Sequence, residues 1–150
     1  MPSQFQFRVR EAIWTTDEAA IANLRREVFI TEQAVPESLE WEPDDADHRW
    51  FVAESRVGLI GIARLTASGR IGRMAVRRPF RGKGVGSALL LAAVNAAIEA
   101  GLSTPHLSAQ THALPFYARH GFVAVGPVYQ DAGIPHRHMI YGPNRDTLEI

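Results

Sequence analysis

The sequence predicts an α/β protein, one mixed sheet of about seven strands flanked by helices. Three observations carry this. Seven short runs are rich in β-branched or aromatic residues or alternate with period two. Three stretches repeat apolar residues at helical spacing. Together they follow one another as β-α-loop-β-β-β-α-β-α-β-β. At 150 residues, 46% hydrophobic and 21% charged, the chain has the size and composition of one globular domain spanning 1–150. Disordered, collagenous and coiled-coil classes are excluded.

Residues 5–10 (Phe-Gln-Phe-Arg-Val-Arg) alternate apolar and polar, as a half-buried strand does. Thr15 and Glu18 form a capping box, and Ile21, Leu24 and Val28 carry a helix to about residue 30. Residues 31–48 hold two prolines, an acidic cluster and little periodicity, and read as a long loop with one helical turn. Residues 50–54 and 59–66 form an antiparallel hairpin. Residues 71–76 form the next strand, interrupted at Gly72 by a bulge or a close backbone approach. The run 87–100 is helical and apolar on nearly all faces, which predicts central burial, and Gly101 stops it. A strand at 106–109, a helix at 113–120 and strands at 122–129 and 136–141 follow, and the last eight residues are a polar tail.

Sixteen basic and sixteen acidic residues cancel, so no global field draws the chain to nucleic acid or to an anionic membrane. The zero hides a segregation. Residues 27–48 hold eight acidic residues and no basic one, whereas residues 55–98 hold eight basic residues and no acidic one. Two surfaces of opposite sign are expected. The absence of cysteine removes disulfides, thiolate metal sites and a Cys-linked acyl intermediate. No signal-peptide pattern and no spanning apolar run are present, so a cytoplasmic address is the default expectation.

The most informative segment is Arg81-Gly82-Lys83-Gly84-Val85-Gly86-Ser87, at the start of the apolar helix. Alternate glycines allow close backbone approach, and the first-turn amides with the positive end of the helix dipole make an anion site. A phosphate-binding loop of the Walker type would need glycine where Arg77 stands and Ser or Thr where Gly84 stands. A dinucleotide fingerprint would need its third glycine at Ser87 or Leu89. Both readings fail.

In this segment the chain resembles the GNAT acetyltransferase superfamily, whose signature of Arg or Gln, two residues, Gly, one residue, Gly or Ala is met by Arg81, Gly84 and Gly86. The likeness extends to Met74-Ala75-Val76 before the loop and to residues 113–122 around Phe116-Tyr117. Residues 26–30 with Glu32-Gln33, and residues 131–136 with Met139, are similar to the ElaA-like and YjcF-like branch. The resemblance implies the acyl-CoA N-acyltransferase fold, an α+β arrangement with a mostly antiparallel sheet. It implies acetyl-CoA as cosubstrate, an amine acceptor and no metal. Its pyrophosphate would rest on Gly82, Lys83, Gly84, Val85, Gly86 and Ser87 beside Arg81, and its pantetheine arm would pair with Met74, Ala75 and Val76. Gln110 would stand where the family often has Asn.

By the same resemblance Tyr117 is the general acid that protonates the departing thiolate. The alternative is that Tyr117 only packs beside Phe116. The base is open among Glu32, His112, His136 and a water relay, with Glu32 and His136 favoured. Residues 71–76 carry only Arg73 as a charged residue, unlike histone-directed members with a carboxylate there. His136 and His138 share a strand face and could form a metal pair with Asp131 or His112, but no third ligand at characteristic spacing supports it. Arg77 and Arg78 are either solvated or reach the 3′-phosphate. The acidic 32–47 loop would favour a cationic acceptor, through Glu37, Glu40 and Glu42. The expected reaction is direct acetyl transfer to a primary amine of a small molecule or peptide in a ternary complex. The rival is a non-catalytic acyl-CoA sensor or interaction module. Oligomeric state stays open, a homodimer included.

Overall fold

The computed structural model describes residues 5–102 and 104–142; the polar tail lies outside them. Seven strands form one sheet: β1 (Arg8–Glu11), β2 (Arg49–Ser55), β3 (Gly58–Leu65), β4 (Arg70–Val76), β5 (His106–Gln110), β6 (Phe122–Asp131) and β7 (Ile134–Tyr141). Their order is β1-β2-β3-β4-β5-β7-β6, antiparallel throughout except for the parallel pair β4–β5. Four α-helices accompany the sheet: α1 (Trp14–Arg25), the single-turn α2 (Glu37–Glu40), α3 (Val85–Glu99) and α4 (Leu114–Ala118).

Alternation along β2 divides the core between the two faces of the sheet. Phe51 and Ala53 belong to the cluster under α3, while Trp50 and Val52 belong to the cluster under α1 with Ile21 and Leu24. The apolar helix α3 is therefore a layer on one face and not a central element. Val85, Leu89, Leu90, Ala93, Val94 and Ala97 are buried, but Leu91 is 58% and Ile98 55% exposed. With one sheet face to cover, only one side of the helix finds a partner. It approaches closely at Gly61, where an added Cβ would stand 2.8 Å from Leu89 Cδ1 and 3.2 Å from the Ala75 carbonyl oxygen.

Three local expectations are corrected. The first strand begins at Arg8 because its register partner Glu54 lies at the end of β2, and Phe5 and Phe7 instead stack on each other and join the core under α3. Helix α1 begins without the Thr15–Glu18 box: Asp17 Oδ2 accepts the Ile13 amide at 2.8 Å, while Arg10 donates to both Asp17 oxygens. The helix also runs past residue 30, continuing as a π-helical turn over Arg26–Glu32 with the Gln33 amide donating to the Val28 carbonyl. The wider turn places Glu32 against Arg81 and Gln33 against Gln110.

The opening that forms the site comes from β4. Its ladder with β5 holds only the pairs Arg70–His106 and Ile71–Leu107, after which the two strands no longer pair. On the β3 side the register steps from Arg64–Gly72 to Ile62–Ala75. Arg73 and Met74 thus oppose Ala63 together in a bulge beside the expected Gly72, with Arg73 at a φ of 48°.

Candidate active site

Two cavities lie along the β4–β5 opening and meet at Met74, Ala113 and Tyr117. The first, about 430 Å³, is bounded by Met74, Ala75 and Val76, by Arg81, Gly82, Gly84, Val85, Gly86 and Ser87, and by Phe116 and Tyr117. Here the fold assembles most of the residues singled out in the glycine segment. Gly82 and Gly84 have φ of 75° and 85°, conformations that disfavour side chains, and Gly84 is the N-cap of α3. Among the described residues no side chain caps this helix, which leaves its first-turn amides to meet an anion. Lys83 stands at the rim with Nζ 5.5 Å from the centre of the Phe5 ring.

Arg81 braces the loop. Its Nε donates to the Val76 carbonyl at 2.8 Å, and its two terminal nitrogens bind both oxygens of Glu32 at 2.6 and 2.8 Å. The Arg81 hydrogen bonds hold the Glu32 carboxyl below the usual carboxylate range, with Arg78 adding to the effect. Both oxygens are committed, which makes Glu32 a poor base and a good anchor.

The second cavity, about 210 Å³, is lined by Gln33, by Arg64, Arg70 and Arg73 from β3 and β4, and by Gln110, His112, Asp131 and His136. Gln110 therefore sits on this side and not in the groove with the glycine loop. Its amide donates to Gln33 Oε1 at 2.9 Å, and its own oxygen is 2.7 Å from His112 Nε2. His136 is 9% exposed, and its Nδ1 lies 2.7 Å from the Ile134 carbonyl. A carbonyl can only accept, so Nδ1 carries the proton and Nε2 keeps its lone pair in the neutral ring.

Tyr117 stands between the cavities. Edge contacts with Phe116 and Phe122 hold its ring, and its hydroxyl has only the Met74 sulfur, at 3.9 Å, as a hydrogen-bond partner among the described residues. Burial pushes the phenol up to about 12. The proton thus stays in place at any working pH, beside an acceptor too weak to engage it strongly.

The acidic segment is not a free surface. Glu40, 1% exposed, pairs with Arg25 and Arg73, and Asp45 with Arg25 and Arg64. Glu42 pairs with Arg64 and Arg73, Glu37 with Arg26 and Glu27 with Arg77. The two runs of opposite charge are largely joined to each other, and Arg77 and Arg78 both turn to carboxylates. His136 and His138 do share a face, with the Tyr129 ring stacked on His136 and tilted against His138. Among the described residues no group of three or more acidic or histidine side chains is placed to hold a metal. Arg64 was not legible as a site residue, and Arg70 and Arg73, in the basic stretch from Arg70 to Lys83 that the sequence offers to the cosubstrate, line the second cavity instead.

A sheet opened between two parallel strands, with a glycine loop and helix start on one side of the gap and a cavity lined by titratable side chains on the other, is the arrangement of the acyl-CoA N-acyltransferase fold. Residues 11–142 match the model of the acetyltransferase (GNAT) domain, and the chain belongs to this family. The uncharacterized N-acetyltransferase YjcF of Bacillus subtilis is 35% identical over 121 residues, covering 78% of this chain and 86% of that protein. ElaA of Escherichia coli is 31% identical over 125 residues, covering 78% and 82%. The crystal structure of ElaA superposes with a TM-score of 0.80, covering 89% of this chain and 99% of that one. An acyl-CoA N-acyltransferase from Pseudomonas aeruginosa, 30% identical, superposes at 0.75, covering 93% and 100%.

Proposed function

We propose that the protein transfers the acetyl group of acetyl-CoA directly to a primary amine of a small molecule or peptide, within a ternary complex. The reading rests on one observation: two cavities of different character meet at a half-buried phenol whose hydroxyl has no strong partner among the described residues. The groove with the uncapped helix start suits a diphosphate and its pantetheine arm; the other cavity then receives the amine. When bound, acetyl-CoA supplies the activated thioester. Gly82 to Ser87 hold its phosphates through backbone amides, with Arg81 keeping the loop against Val76. The bulge leaves Arg73 and Met74 outside regular pairing with β3 where β5 has departed, so their backbone groups are the available partners for an extended ligand.

His136 takes the proton of the attacking amine at Nε2, its ring held by the bond from Nδ1 to Ile134. Tyr117 gives its proton to the departing sulfur. With a phenol raised to about 12, full transfer ahead of bond cleavage is uphill, so Tyr117 acts as a hydrogen-bond donor until charge has built on the sulfur. Tyr117→Phe removes that donor and keeps the ring packing. The expected outcome is an acetyl-CoA-dependent release of free thiol reduced about ten-fold or more, with acetyl-CoA affinity and melting temperature unchanged. Thermal stabilisation by acetyl-CoA without thiol release from any amine in a broad panel would favour the sensor instead.

A further inference from the structure

The charge arrangement of the second cavity says more about the acceptor, given the acetyltransferase reading. One wall carries Arg64, Arg70 and Arg73; the opposite wall carries Asp131 and His136. Behind the first wall, Arg25, Arg64 and Arg73 are matched by Glu40, Glu42 and Asp45, three cations against three carboxylates. Arg70 is additional and has no carboxylate partner among the described residues. The matching also leaves donors unspent. Arg64 is 7% exposed, yet its Nε has no acceptor, and its ion pairs with Glu42 and Asp45 both run through Nη1. Its Nη2 lies near Gly72, where an added Cβ would stand 3.8 Å away, and both residues line the cavity. Arg73 Nε is 3.2 Å from Glu40 without hydrogen-bond geometry. Buried guanidinium donors without acceptors are costly and rarely left so.

We infer that the acceptor is a zwitterion, an amine that also bears a carboxylate, with the carboxylate on the Arg64–Arg70–Arg73 wall and the amine on the Asp131–His136 wall. This replaces the purely cationic acceptor that the acidic segment suggested, since those carboxylates are already paired. A cavity of about 210 Å³ lies below the roughly 300–1,000 Å³ of sites for drug-sized ligands, which favours a small amino acid over a long peptide.

The test compares acids with their matched carboxamides, so that only the anionic group differs. N-acetylated amino acids and their amides are titrated by calorimetry into the protein saturated with CoA, and the free amino acids and their amides are assayed for thiol release. The acids should bind about ten-fold or more tightly than the amides, as a charge-assisted contact requires, and Arg70→Gln should reduce that preference without weakening amide binding. Arg70 makes no ion pair among the described residues, so this variant is expected to fold, which its melting temperature checks. Equal or weaker binding of the acids, or an equal loss for both in Arg70→Gln, overturns the inference even if amines are acetylated. Selective binding of acids without thiol release from any amine would support the carboxylate wall and sink the acetyltransferase reading.

Discussion

Glu32 and His136 show how immediate surroundings set two titratable side chains apart. Glu32 gives both oxygens to Arg81, and the arginine favours its charged form. His136 is bonded at one nitrogen only, to a carbonyl, which sets the tautomer and leaves the other nitrogen able to accept. Glu32→Gln is therefore expected to raise the KM for acetyl-CoA by loosening Arg81. Steady-state kinetics should show kcat in the same order of magnitude, not the roughly 10²–10⁴-fold loss that follows removal of a general base. His136→Gln should show that larger loss in kcat. The glycine segment and Tyr117 could be found in the sequence because their spacing is short and their residue types are demanding. The tautomer of His136 could not, since it depends on the Ile134 carbonyl lying within reach of Nδ1 in the folded strand.

At the level of elements, α3 and the start of α1 determine how firmly the site is held. Helix α3 carries the amides proposed to hold the cosubstrate's phosphates and rests on Gly61. Gly61→Ala should cost about 1–3 kcal/mol by pushing Leu89 and Val85 away from β3, measurable as a lower urea midpoint. Helix α1 is anchored by Asp17, which accepts the Ile13 amide and two bonds from Arg10. The Arg10 bonds hold the Asp17 carboxyl below its ordinary value of 3.8. A depressed folded-state value means that the stabilisation is complete above that ordinary value and is lost as pH falls through the lower folded one. The melting temperature of the parent should drop on acidification below pH 3.8, and Asp17→Asn should flatten that dependence. Strands and helices were readable to within a few residues because period two and period 3.6 are local signals. The π-helical turn was not, since its wider spacing reflects packing of Val28 and Phe29 against the sheet.

Across the whole molecule, opposite charges hold the 37–47 segment against the sheet. Glu40 is the buried centre of this arrangement, bound by Arg25 and Arg73. Glu40→Ala leaves three cations, Arg25, Arg64 and Arg73, to the two carboxylates of Glu42 and Asp45 and should destabilise the fold by about 3–5 kcal/mol in chemical denaturation, whereas Glu37→Gln at the exposed end should have little effect. Composition, periodicity and turn residues were enough to announce the α/β class and the glycine loop, and the resemblance of short motifs to the GNAT superfamily announced the family, because each is written in neighbouring residues. The pairing of the two charged runs, the bulge that places Arg73 at the second cavity and the place of Gln110 beside it needed the folded chain. Glu32 and Arg81 are 49 positions apart and Glu27 and Arg77 are 50 apart, distances over which no local pattern carries information. A run of like charge says only that partners are required. Where the chain returns decides whether those partners are its own arginines or a substrate.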